Sequence, residues 1–161
     1  MTLTIRPLAE RDVPGLLDLI DGLADYEKLA RPDQEARQRL TADALADPPR
    51  FHVLLAEIDG TLVGYAFYFY TYSTFLARPT LYLEDIFVLP ELRGQGAGIG
   101  LFRACARQAV EQGCGRMDWQ VLSWNEPSIR FYERLGARHQ ETWLPFRLDG
   151  AQLEAVGSSA G

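Results

Sequence analysis

Glu84 and Tyr132 are side chains of types suited to proton transfer, and a glycine-rich run suited to holding phosphate lies between them in the sequence. Glu84 stands beside Asp85 in Leu81-Tyr-Leu-Glu-Asp-Ile-Phe-Val88, whose apolar and β-branched content reads as a buried strand. A carboxylate in such a strand is costly unless it is paired or used, and burial raises its pKa toward that of a general base. Successive strand side chains point to opposite faces, so at most one of Glu84 and Asp85 is expected to face a given pocket. An ion pair or an edge position is the plain alternative. Asn125 and Tyr132 are seven apart, a spacing that returns a helical side chain nearly to the same face. Capping by Asn125 and core packing by Tyr132 stay open beside ligand contact.

The glycines fall at Gly94, Gly96, Gly98 and Gly100, after Pro90 has stopped the strand and before an apolar helical run from Leu101 to Val110. A glycine-rich loop opening a helix presents unpaired N–H groups and the positive end of the helix dipole, which suits phosphate. The nucleoside-triphosphate loop requires a lysine after the glycines, and none follows. The dinucleotide fingerprint fails in both registers, ending on Ile99 or Leu101. What fits is Arg93-x-x-Gly96-x-Gly98. A glycine-rich turn without a ligand is the competing reading.

The elements that must position these residues follow from periodicity and punctuation. An opening strand at 2–7 is followed by a helix at 12–26 and a more polar helix at 33–46, closed by Pro48 and Pro49. A strand at 51–58 turns at Asp59-Gly60 into a strongly aromatic strand at 61–72, and a loop from Ser73 to Thr80 leads to the central strand. A helix at about 97–112, a strand at 116–122 and a helix from Pro127 to Gly136 come next. Residues 137–148 are expected to add a last strand or two. The pattern predicts an α/β (α+β) fold: a mixed, mostly antiparallel twisted sheet of six to seven strands with helices on both faces. One domain over 1–156 and a flexible tail at 157–161 are expected.

Composition narrows the classes. The formal net charge is -6, which argues against a nucleic-acid partner and suits a cationic substrate. No apolar run reaches a membrane span, and no signal peptide is expected. Cys105 and Cys114 read as reduced thiols of a cytoplasmic protein, and isolated His52 and His139 make a metal site unexpected.

The loop signature resembles that of the GCN5-related N-acetyltransferases. Together with Tyr65–Tyr72, Leu81–Val88 and Trp124-Asn-Glu-Pro-Ser-Ile-Arg-Phe-Tyr132, it resembles their spermidine/spermine (diamine) and thialysine acetyltransferase branch. The likeness runs from Ile5 to about Phe146. It implies an acetyl-CoA-dependent N-acetyltransferase for a small primary amine, cytoplasmic and homodimeric, without metal. By that resemblance Glu84 is the catalytic base and Tyr132 the acid that protonates the departing thiolate. Ile86, Phe87 and Val88 follow the pantetheine arm. Arg93, Gly94, Gln95, Gly96, Ala97, Gly98 and Ile99 hold the pyrophosphate, with Asn125, Ser128 and Tyr132 beside the cofactor. Tyr26, Glu27, Glu84 and Trp143 meet the amine. Where the polyamine enzymes carry an acidic residue and a tryptophan, this chain reads Tyr72-Ser-Thr-Phe75. That departure favours a thialysine- or lysine-like amino acid over a long polycation. A protein-lysine or N-terminal acetyltransferase, or a non-catalytic acyl-CoA sensor, is the alternative reading.

Overall fold

A computed structural model describes residues 1–159. It divides into two compact units, Met1–Gln120 and Val121–Gly161.

In the first unit, strand β1 (Leu3–Pro7) leads through a 3-10 turn (Glu10–Asp12) into helices α1 (Val13–Glu27) and α2 (Gln34–Ala44). Strands β2 (His52–Ile58), β3 (Thr61–Ser73) and β4 (Arg78–Val88) follow, then helix α3 (Ala97–Glu111) and strand β5 (Arg116–Trp119). The sheet runs β1-β2-β3-β4-β5, antiparallel except for the last pair. The expected α/β class and mixed, mostly antiparallel sheet are therefore present, with five strands among the described residues in place of six to seven. The aromatic strand and the central strand form one long hairpin, so residues 78–80, expected in a loop, belong to β4.

Helices cover both faces. Phe87 joins Leu16, Leu19, Phe51, Val53, Leu55 and Tyr65 in one core beneath α1. The approach is close: a Cβ on Gly22 of α1 would come within 3.1 Å of the Phe87 ring. Val88, the next residue and hence on the opposite face, packs near Gly98 of α3. Each fully buried Leu or Val of these two layers contributes about 1.5–3 kcal/mol, which fixes the height of β4 between the helices. At the far edge Arg6 of β1 bonds Asp12 at 2.6 and 2.9 Å and also donates to Glu57 of β2, joining strand, turn and strand. The Arg6 bonds to Asp12, with a further one from the Ala9 N–H, hold the Asp12 carboxyl down at about 2.

The second unit carries helices α4 (Glu126–Arg134) and α5 (Gly150–Ser158). The strand expected at 137–148 does not form. A strand needs a neighbour for its N–H and C=O groups, and these residues join no ladder among the described ones. Gly157 and Ser158 of the expected tail close α5, while positions 160 and 161 lie outside the described residues.

Candidate active site

Strand β4 is the element on which the site is built. Its pairing with β5 spans only Thr80↔Arg116 to Leu83↔Trp119 and leaves the last five residues of β4 without a β5 neighbour, because β5 ends at Trp119 and not at residue 122 as expected. Among the described residues, β4 from Glu84 onward is paired on its β3 side alone. Leu89 donates its N–H to Val63 O on that side at 2.9 Å. Strand alternation then turns the N–H and C=O of Ile86 and Val88 outward to the open edge, and those of Phe87 inward to β3. Of the three residues expected along the pantetheine arm, Ile86 and Val88 offer main-chain bonds, and Phe87 serves as buried support.

The open edge ends at the glycine loop. Gly94 and Gly96 have φ of 79° and 89°, values that β-carbon sterics make rare for other residues. Gly96 is the N-cap of α3, and Gly100 N bonds back to Gly96 O at 2.9 Å. The amides of Ala97, Gly98 and Ile99 in the first turn have no intrahelical acceptor, and the 15-residue helix adds its dipole. Gly94 and Gln95 complete the approach. An open strand edge running into a helix N-terminus fits an extended amide-bearing arm that ends in a pyrophosphate. The Arg93 side chain takes a different course, donating from Nε to Val88 O at 3.1 Å and lying 4.5 Å from the Tyr26 ring centroid.

A register shift corrects the expectation that Glu84 and Asp85 face apart. Phe67 pairs with Asp85 and Tyr68 with Leu83, which leaves Glu84 as an extra residue in β4. Phe67 and Phe69 share a face of β3; opposite them stand Asp85 and Tyr82. Glu84, two beyond Tyr82, falls on that same α1-facing side. The bulge therefore gathers both carboxylates. Glu84 is exposed and Asp85 half-buried. Burial first, then the charges of Glu84 and Glu27, push Asp85 up to about 6, while the Tyr65 O–H, donating to Asp85 Oδ2 at 3.3 Å, pulls the other way. Glu27, at the last turn of α1, is raised by burial and by the charge of Glu84. The phenols of Tyr65 and Tyr82 are raised by burial and by the same carboxylates.

Tyr26, Glu27, Glu84 and the β4–α3 segment are thus brought together in the first unit. Asp85 and Tyr65 join them without having been singled out as site residues. An Asp next to a Glu in an apolar strand was the visible signal for the first; Tyr65 was hidden among the many aromatics of β3.

In the second unit Asn125 is buried and caps α4, accepting from Ser128 N at 3.4 Å. The capping role left open by the sequence is therefore filled. Tyr132 lies two turns on along α4, its ring edge-on to Phe131 at 5.4 Å. Trp143 lies outside any helix or strand and is 76% exposed. Among the described residues no group of three or more His, Cys, Asp and Glu is arranged to hold a metal ion, and no helix is long and apolar enough to cross a membrane.

Residues 16–137 match the acetyltransferase (GNAT) family. The chain is 39% identical over 168 residues to thialysine N-epsilon-acetyltransferase of Sus scrofa, covering 98% of this chain and 96% of that protein. Among solved structures, an integron cassette protein from the mobile metagenome of V. cholerae superposes with a TM-score of 0.83 at 24% identity, over 99% of both chains. An aminoglycoside N-acetyltransferase solved in complex with CoA superposes with a TM-score of 0.75 at 22% identity, over 91% of this chain and 95% of that one. At these identities the two structures bear on the fold alone.

Proposed function

This chain belongs to the GNAT acetyltransferase family and is an acetyl-transfer enzyme, and from that premise we propose that it moves acetyl from acetyl-CoA to the side-chain amine of a thialysine- or lysine-like amino acid. Polyamines are the second acceptor class to be compared. The observation that carries the reading is the bulge in β4: one strand offers an open edge and a helix N-terminus to an anionic thioester, and carboxylates on its α1 face to a cationic amine. The near full-length relative whose name specifies a thialysine N-epsilon activity supports the amino-acid acceptor.

The chemistry sets what the residues must do. A primary alkyl amine has a pKa of about 10.4, so at neutral pH it arrives as a cation without a lone pair to give. Glu27 and Asp85 attract that cation. Glu84, the exposed carboxylate, accepts its proton through water. The freed nitrogen attacks the thioester carbon and the C–N bond forms. The carbonyl oxygen becomes an oxyanion, which the outward N–H groups of Ile86 and Val88 stabilise. Collapse restores C=O and breaks C–S; the thiolate takes a proton, the part that the family resemblance gives to the Tyr132 O–H. The second amine proton leaves to water, Glu84 having taken the first; Glu84 then releases its proton to solvent, from which the acid that served the thiolate is restored. The amides of Gly94 to Ile99 hold the pyrophosphate, and Asn125, Ser128 and Trp143 keep the cofactor and amine roles that the family resemblance gives them. Holding thioester and amine together supplies a large share of the rate.

We further place both units in one functional domain, working as a homodimer in the cytoplasm. Support for the dimer comes from residues 137–148, whose strand-like sequence joins no ladder among the described residues. There Trp143 and Leu144 are each 76% exposed and Phe146 94%. A second copy would complete that ladder. The test of the functional reading is product analysis: the chain, acetyl-CoA and lysine or thialysine, read by mass spectrometry. One acetyl group on the side-chain nitrogen supports it. Coenzyme A binding with no acetylated product from any amine replaces it with the sensor reading.

A further inference from the structure

The first residue of the loop signature does not send its side chain toward the loop. Arg93 Nε donates to Val88 O at 3.1 Å, and its guanidinium carbon lies 4.5 Å from the Tyr26 ring centroid and 5.9 Å from that of Phe87. Val88 O is an outward carbonyl, the last on the open edge of β4. Tyr26 is next to Glu27, which feels the charge of Glu84 and whose own charge helps to raise Asp85. One planar cation therefore bridges the donor edge and the end of the helix that carries the amine-facing carboxylate.

We infer that Arg93 is a positioning residue that straps the end of α1 to the end of β4, so that the donor edge and the amine-facing residues are held in one register. The inference rests on the acetyl-transfer reading above and assigns Arg93 to the amine side of it. Guanidinium suits the task because it stacks on an aromatic ring while its in-plane N–H bonds a carbonyl. With the side chain committed there, phosphate is left to the backbone amides of the loop. Lysine would keep the charge over the ring and lose the fixed angle between ring and carbonyl.

The experiment measures two quantities on the full chain: amine KM at saturating acetyl-CoA, and coenzyme A Kd by calorimetry. The variants are Arg93→Gln, Arg93→Lys, Tyr26→Leu and the double Arg93→Gln/Tyr26→Leu. Arg93→Gln is expected to raise amine KM roughly five-fold, the worth of one such cation–ring contact, with coenzyme A Kd unchanged. Tyr26→Leu should match it, Arg93→Lys should recover part of the loss, and the double variant should be no worse than the poorer single one, as for a shared interaction. A rise in coenzyme A Kd with amine KM unchanged would make the guanidinium a phosphate ligand and overturn the strap. Single effects that multiply in the double variant would overturn it as well. Should Arg93→Gln fail to fold, the Lys variant carries the same comparison. If the wild-type chain turns over no amine, the functional reading fails separately. The strap is then read from thermal midpoints, where coupling between Arg93 and Tyr26 supports it and strict additivity removes it.

Discussion

The two neighbouring carboxylates of β4 have different environments and so different consequences. Glu84 is exposed and free to work through water, so Glu84→Gln should lower kcat/KM by about 10²–10⁴-fold at neutral pH. Unchanged kcat/KM across the pH range would remove Glu84 as the base. Asp85 is the half-buried partner. Its folded pKa of about 6 lies above the ordinary value of 3.8, so the folded state favours the protonated form. That advantage is complete below about pH 4 and is lost as pH rises through about 6. Asp85→Asn should therefore be more stable than the wild type above about pH 6, by on the order of 2 kcal/mol, and the gap should close near pH 4. Thermal melts of both chains at the two pH values check this. The single sequence marked both residues as out of place in an apolar strand. Their shared face was not legible, because alternation assumes an unbroken pleat and a bulge is a relation between two strands.

The loop and its helix were legible because the backbone there demands particular residues. Gly96 caps α3 at a φ of 89°, so Gly96→Ala should strain the loop by about 1–2 kcal/mol and weaken coenzyme A binding about ten-fold in calorimetry. The strand break was less legible. Residues 120–122 continue the pattern of β5, yet pairing stops at Trp119, and whether a strand goes on depends on its neighbour more than on its own residues. The Arg6 network was hidden for a similar reason, since Asp12 and Glu57 meet Arg6 only after folding. Arg6→Ala should leave buried Asp12 without its hydrogen-bonded cation, with only exposed Arg11 at 3.9 Å, and cost about 2 kcal/mol in chemical denaturation, less than a fully buried pair because Arg6 keeps 23% of its side chain exposed.

At the scale of the molecule, the sheet class, the order of elements and the helices on both faces could be read from periodicity and turns. The last strand or two expected at 137–148 are absent: among the described residues these positions join no ladder. If a second copy supplies one, sedimentation should give twice the 18.1 kDa of one chain, and Phe146→Glu should yield monomers. A chain of net charge -6 also attracts a cationic acceptor over distance, an effect that salt should weaken in KM. The most direct measurement is thiol release from acetyl-CoA with thialysine, lysine, putrescine, spermidine, spermine and a lysine peptide compared side by side. The account predicts the highest kcat/KM for thialysine or lysine and weak turnover of spermine, as the Ser73–Phe75 segment lacks the acidic contact expected for a long polycation. A strong preference for spermine or for the peptide would contradict the amino-acid acceptor, and silence with every amine while coenzyme A still binds would contradict catalysis.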